Sequence, residues 1–276
     1  MSTTAISQRP VVLGADFKRY WALSWTLATT EFKLRFYGSV LGYAWTLVRP
    51  FALFGVLYVV FAEIAKLGEG IKGFPAYILI SMVLFQFFKA VVDGCLTSLL
   101  NRENLLRKMH FPRLVIPTTV VLSSLFELTL TLAAVFIFLF ISGIFPTAGW
   151  LELIPLAAML TVFATGLGLL FSVLFVRFRD IAPIWDVVGQ MLFYASPILY
   201  VASMVPEDFR QLYMLNPIAL VLTQMRHAVI DSGAPTAADE IGSGVLLLIP
   251  IGFVLVTFAL GLWAFVREAP KVAENL

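Results

Sequence analysis

The sequence predicts an all-α polytopic membrane protein, and three observations carry that prediction. Hydrophobic residues supply 60% of the 276 residues and charged residues 13%, with a mean hydropathy of +0.93. That balance lies outside the range of water-soluble domains. Apolar runs extend past the ~20 residues that a helix needs to cross a bilayer, whereas an outer-membrane barrel would alternate in segments of roughly ten. Lysine and arginine gather between those runs instead of spreading through them.

Residues 1–37 read as a cytoplasmic N-terminus and an amphipathic interface helix. The first ten residues are polar and lead into no apolar core with a small-residue cleavage site, so a cleaved signal peptide is not expected. From 16 to 37, Phe17, Trp21, Trp25, Ala28, Phe32 and Phe36 share a stripe opposite Arg19, Thr26, Thr29, Thr30 and Lys33. Tryptophan on one side and cations on the other suit the headgroup layer.

Residues 38–276 then form a six-span transmembrane domain, with spans expected near 40–63, 74–98, 114–143, 151–176, 181–201 and 245–266. Arg9, Lys18, Arg19, Lys33, Arg35, Arg102, Arg107, Lys108, Arg113, Arg177, Arg179, Arg267 and Lys271 fall on one side of that arrangement. Lys66, Lys72, Arg210 and Arg226 fall on the other, which places both termini in the cytoplasm. The longest external loop, 201–244, is apolar but broken by Pro206, Asn216 and Pro217. Short re-entrant helices are expected there, since such backbone is tolerated where protein or a cavity surrounds it.

One cytoplasmic stretch stands apart: 101–113, NRENLLRKMHFPR, the only long polar interruption with a strong positive bias. As a short helix it gathers Leu106 and Met109 with Leu99 on one side, and Glu103, Asn104, Arg107 and Lys108 on another. Glu103 precedes Arg107 by four residues, the favourable order for a helical ion pair. Pro112 ends it. Such a segment is a rigid knob on the cytoplasmic face, useful if something pushes on it.

Several chemistries are excluded. Cys95 is the single cysteine, so there is no intrachain disulfide and no cysteine metal site. His110 and His227 are isolated and are assigned no ligand role. No GxxxxGK[ST] phosphate loop occurs, and Gly166-x-Gly168 lies in an apolar run, where small residues mark close helix packing. Energy for any work must come from elsewhere.

LGYAWTLVRPF at 41–51, GCLTSLLNRENLLRKMHFPRLVIPT at 94–118, RFRDI at 177–181, YASPILY at 194–200 and LNPIA at 215–219 follow in order. In that order and spacing the chain resembles the permease subunit of ABC-2 type polysaccharide exporters, from about residue 16 onward. The resemblance implies export of a lipid-linked O-antigen, teichoic acid or galactan-type glycan across the cytoplasmic membrane. It implies a homodimer joined by two copies of a separate ATPase subunit, which would hold the ATP and magnesium. No cofactor on this chain, no catalytic or metal site, and no nucleic-acid partner are expected. It also gives 101–113 a role in ATPase coupling, through Asn101, Arg102, Glu103, Asn104, Leu105, Arg107, Lys108, Phe111 and Pro112. Arg49 departs from the family pattern, where an uncharged residue is expected before Pro50.

Roughly eight residues into the first span, Arg49 lies ~12 Å from the cytoplasmic end. A guanidinium there must snorkel, find a carboxylate or face water. It is a candidate contact for the pyrophosphate of a polyprenyl-linked glycan, with Asp186 as a competing partner. Lys89, Asp93 and Glu127, at comparable depths, read as a mutually neutralising cluster. A glycan path calls for flat apolar rings on which sugar faces slide. Candidates are Tyr43 and Trp45, then Trp185, Phe193, Tyr194 and Tyr200, and Tyr213, with Pro197 as a kink; interfacial aromatic belts are the competing reading for Trp185 and Tyr200. Two other functions fit the composition: ABC-2 export of small hydrophobic drugs, and proton-coupled secondary transport through the charged cluster. A membrane-embedded glycosyltransferase ranks below both, for want of a carboxylate-rich cytoplasmic loop.

Overall fold

The computed structural model describes residues 17–35, 37, 38, 42, 44–102 and 112–275, with backbone alone from residue 270. Every regular element among them is helical: α1 (Phe17–Arg35), α2 (Ala44–Tyr58), α3 (Phe74–Asn101), α4 (Val115–Ile141), α5 (Leu153–Arg177) and α6 (Ile181–Tyr194) are followed by α7 (Glu207–Met214), α8 (Pro217–Met225), α9 (Ala237–Ile241) and α10 (Leu248–Asn275). A π-helical turn extends α2 to Ile64, and another extends α8 to Ile230. Five stretches are long and apolar enough to cross a bilayer: Ala44–Ile64, Phe74–Asn101, Val115–Ile141, Ala148–Arg177 and Gly244–Ala269. The chain is an all-α polytopic membrane protein.

α3 is the axis of the bundle. Its sequence is apolar except along one side that bears Gln86, Lys89 and Asp93, as a helix packed on most of its circumference requires, and Tyr77, Ile78, Leu84, Phe88 and Leu99 are fully buried. It starts sharply because Gly73 adopts φ 67° and Pro75 occupies the first turn. The glycine pair of α5 packs as its spacing suggests. A Cβ on Gly166 would lie 2.6 Å from the Phe258 backbone of α10, and one on Gly168 would lie 2.6 Å from the Cys95 side chain of α3. Absent side chains at these two points let α5 sit tightly between α3 and α10.

Contacts fix the direction of each helix. Near its last turns, α3 reaches the start of α4 through the Cys95 thiol, 3.8 Å from the Pro117 carbonyl. Phe54 of α2 meets Phe138, late in α4, at 5.5 Å between ring centroids, so α2 and α4 run parallel. Lys89 of α3 reaches Asp186, early in α6. The starts of α2, α4 and α6 and the end of α3 therefore share one end of the bundle. α1 lies at that end against α4, held by Tyr20–Thr118, Ser123–Ala28 and edge-on packing of Trp25 on Phe126.

α6 is where the architecture departs from expectation. A helix over 181–201 was predicted, yet the helix stops at Tyr194 after 14 residues, or ~21 Å, less than a full crossing. Pro197 was read as a kink; it terminates the helix instead, because the residue before a proline is driven out of the helical region. The irregular chain after it is buried in protein at Ser196, Ile198, Leu199, Val201 and Ala202. Its freed carbonyls find a donor: the Tyr77 hydroxyl on α3 donates to the Pro197 and Tyr200 carbonyls.

The 201–244 segment contains the short helices expected there. Asn216 caps α8 by accepting from the Ile218 N–H at 3.0 Å, with Pro217 in the first turn. α8 and its π-helical continuation to Ile230 are apolar and almost wholly buried, and too short to cross a bilayer. Thr236 and Asp239 form a reciprocal capping box on the five-residue α9.

Candidate functional site

Two ends and one face of the bundle carry the polar chemistry. At the end shared by α1 and the starts of α2, α4 and α6, the last residues of α3 lead into 101–113. Asn101 is exposed, whereas Arg102 is drawn inward and pairs with Glu31 of α1. Arg113, at the far end of the same segment, donates to the Ala269 carbonyl of α10. Pro112 is half-buried beside it. Glu103, Asn104, Leu105, Arg107, Lys108 and Phe111 lie outside the described residues, as does Tyr43. The segment is thus anchored at both ends, to α1 and to α10. Glu31 was absent from the sequence reading; it is the one acid on α1, which was the available signal.

α6 forms the open face. It buries Trp185 and Gly189 against the bundle, four residues apart, packs Ile181, Ala182, Leu192 and Phe193 partly against the core, and leaves its other residues exposed. Asp186, Gln190 and Tyr194 follow at helical spacing along the uncovered side, Tyr194 being 65% exposed. Trp45 is likewise exposed on α2. Phe193 turns toward α3 and stacks edge-on against Phe85 at 5.3 Å. Trp185 departs from both readings offered for it, since at 3% exposure it neither lines an open path nor faces an interface. Its indole N–H donates to Asp93 at 2.6 Å while its ring packs on Phe88 and Phe171. Its role is to hold a carboxylate in place.

That carboxylate belongs to a cluster between α3 and α6. The Lys89 ammonium donates to both oxygens of Asp93 at 2.8 and 3.1 Å and lies 3.6 Å from Asp186. Two carboxylates and one ammonium leave the group with one net negative charge. Glu127 is not part of it, contrary to expectation: it pairs with Arg35 of α1 at 2.5 Å, because α4 faces α1 at that level. Asp186 is likewise not the partner of Arg49 within this chain. Arg49 is exposed on α2, and no hydrogen bond or ion pair joins it to another described residue.

The opposite end is closed by a polar web around the irregular chain after α6. The Tyr213 hydroxyl on α7 donates to that of Tyr200 at 3.1 Å, which donates to the Tyr194 carbonyl at 2.9 Å. Pro197 is buried beneath them. Gln224 donates to Glu152 at 2.7 Å and accepts from the Ala237 N–H at 3.1 Å, tying α8 to the start of the α5 stretch and to α9. Glu240 is buried, with Arg210 at 3.4 Å; burial pushes its carboxyl above the usual range, and Arg210 and Arg226 oppose the shift. Arg226 also lies over the Tyr77 ring at 6.0 Å, and its Nε is enclosed without a hydrogen-bond partner among the described residues. The sequence reading placed Arg210 and Arg226 outside the membrane and gave no sign that Glu240 joins them.

An axis helix, an uncovered polar and aromatic face, a tethered loop at one end and a buried web at the other describe a part of something larger. No ATP site accompanies them among the motifs of this chain. Known proteins agree with that picture. The chain resembles the O-antigen export system permease protein RfbA of Klebsiella pneumoniae, 28% identical over 201 residues, covering 72% of this chain and 77% of that one. RfbA of Myxococcus xanthus is 27% identical over 265 residues, 95% of this chain and 98% of its own. KpsM of Escherichia coli, a polysialic acid transport protein, is 24% identical over 237 residues, 84% and 88% of the two. The profile of the ABC-2 type transporter family matches residues 22–230, so the chain belongs to the ABC-2 type transporter family.

Proposed function

We propose that the chain is the transmembrane permease subunit of an ATP-driven exporter of a lipid-linked polysaccharide. It works as a homodimer in the bacterial cytoplasmic membrane, with both termini inside, alongside two copies of a separate ATPase subunit that binds ATP and magnesium. The relatives named above move O-antigen and polysialic acid. The single observation that carries the reading is the uncovered face of α6, where Asp186, Gln190 and Tyr194 form a polar and aromatic stripe on a helix that crosses only part of a bilayer. Lipid would penalise such a stripe, whereas a hydroxyl-rich polymer sliding on ring faces would not.

Each region then has a task. Residues 101–113 receive the ATPase movement, and the Arg102–Glu31 and Arg113–Ala269 tethers pass it to α1 and α10. Arg49 meets the pyrophosphate of the incoming lipid, as a guanidinium binds phosphate bidentately. Tyr43, Trp45, Phe193, Tyr194, Tyr200 and Tyr213 line the path outward, and the web around Pro197 closes its outer end. Trp185 supports the lining through Asp93. Tyr194→Ala tests this: surface glycan is expected to fall about tenfold, a loss of ~1.4 kcal/mol in the transport barrier, with assembly and basal ATPase activity unchanged. Undiminished export in Tyr194→Ala and in Phe193→Ala rejects α6 as the path.

A further inference from the structure

Near the starts of α2 and α6, Arg49 and Asp186 are both exposed, and Asp186 holds only a secondary share of the Lys89 ammonium. Glu127 is paired with Arg35, and Lys89 chelates Asp93 through both carboxylate oxygens. Asp186 keeps 75% of its side-chain surface exposed and has only a shared ammonium at 3.6 Å. Arg49 has none. A charge presented to hydrocarbon is strongly disfavoured, so each needs water, a headgroup reached by snorkelling, or an opposite charge.

Their positions match. Arg49 stands five residues after Ala44, the first residue of α2, and Asp186 stands five residues after Ile181, the first residue of α6. At the helical rise both lie ~8 Å from the same end of the bundle. Their signs are opposite, and the charges are balanced: one positive on α2, one net negative on the Lys89–Asp93–Asp186 group. Each is flanked along its helix by exposed apolar side chains, Leu53 and Val56 on α2, Val187 and Met191 on α6. Within one chain no contact joins the two. A two-fold axis supplies both pairings at once, since a patch carrying one charge of each sign is complementary to its own copy.

We propose that Arg49 of one copy pairs with Asp186 of a second copy across the two-fold axis, latching the end of the path at which the lipid-linked glycan arrives. This rests on the homodimer and on the phosphate contact proposed above, and adds what holds Arg49 before substrate arrives. The pyrophosphate opens the latch by replacing Asp186 as the counter-ion of the guanidinium. Asp186 then falls back on Lys89, already within reach.

The test uses the complete transporter in membranes. Two chains, R49C and D186C, each in a C95S background, are co-expressed and treated with a bifunctional thiol reagent about 10 Å long, because an arginine–carboxylate pair can hold its Cα atoms beyond the ~7 Å reach of a disulfide. Each carries one cysteine, so every link is intermolecular, and a species of doubled mass is expected in excess of that formed by either variant expressed alone. The opening step is read on a chain that keeps Arg49: D186N removes the counter-ion that pyrophosphate must displace, so it should bind polyprenyl pyrophosphate more tightly than the parent chain. No link in an assembly whose mass still contains two copies of the chain overturns the latch while leaving the homodimer standing. A single copy per assembly overturns the homodimer and the latch with it. A D186N chain that binds polyprenyl pyrophosphate no more tightly than the parent overturns the opening step. A charge exchange checks the energetics, read as retention of the two-copy assembly because Arg49 also contacts substrate: R49D and D186R should each lower it about tenfold, and their combination should recover most of it, as coupled neighbours do. A double variant no better than either single one rejects the pair.

Discussion

α6 and α10 both leave most of their surface uncovered, and the chemistry of what they uncover is opposite. α10 presents Leu248, Ile249, Phe253, Leu255, Val256, Leu260 and Trp263, and no charge appears before Arg267. α6 presents Asp186, Gln190 and Tyr194 among its aliphatics. Exposure alone therefore means little in a membrane protein, since lipid accepts any apolar face. A charge breaks the tie. On the proposed function, α10 is bounded by lipid, and α6 is bounded by water, substrate or another chain.

The largest expected effect comes from placing the same charge on both faces. Val187 of α6 and Val256 of α10 are 59% and 56% exposed, so accessibility does not distinguish them. Val256→Lys should lower membrane insertion, at a cost of ~2.5–3.5 kcal/mol near a helix centre. Val187→Lys should insert normally and lose export. The check is protease protection and yield of membrane-integrated protein, beside surface glycan. Equal insertion defects would make α6 a lipid-facing helix and remove the basis of its proposed role.

A smaller effect separates the two sides of α10. Its inner side meets α5 at Gly166, where a Cβ would lie 2.6 Å from Phe258 Cα; Gly252, on the same helix, has no atom within 4 Å of its Cβ position. Gly166→Ala should lower thermal stability in detergent by ~1–3 kcal/mol, the usual cost of overpacking. Gly252→Ala should raise it by ~0.5–1 kcal/mol, because alanine restricts the unfolded chain and favours the helix. A neutral Gly166→Ala would mean that the helices can part there at no cost.

The same contrast explains what the sequence disclosed. Long apolar runs, the Gly166 and Gly168 contacts and the Lys89–Asp93 pair are local patterns, readable from spacing along one helix. Which helix stands opposite is not local. Hence Glu127 was grouped with Lys89 by depth when its neighbour is α1, and Glu31 went unnoticed though it holds Arg102. Trp185 was ambiguous for a related reason: aromatic rings recur every few residues here, and only the neighbour Asp93 tells which way this one turns. Pro197 was legible as a disturbance, but whether a proline bends or ends a helix depends on what satisfies the released carbonyls, here Tyr77 on another helix. The residues 103–111 of the proposed coupling segment lie outside the described structure, and their role stands on resemblance and on the two tethers that flank them.

The smallest expected effect concerns a charge that, unlike Asp186, is enclosed by its own chain. Glu240 is buried in the external web, facing Arg210 of α7 and Arg226 beyond α8, with Asp239 beside it on α9. Burial raises its pKa above the ordinary carboxylate value, and the two arginines only partly offset this. Proton uptake therefore favours the folded web. The resulting stabilisation is complete below the unfolded pKa and is lost as pH rises through the folded one. Asp239 has the opposite sign: hydrogen bonds from Thr236 lower its pKa, so its capping contribution is present above the ordinary value and lost as pH falls through the folded one. Melting of the detergent-solubilised protein across the mildly acidic range should show a gain on acidification above the ordinary carboxylate range, as Glu240 takes up its proton. Glu240→Gln should flatten that gain, since the amide keeps the shape and can still accept from Arg210 without a buried charge. Asp239→Asn should leave it in place. A slope that survives Glu240→Gln would assign the titration to another group and leave the enclosed acid without thermodynamic consequence.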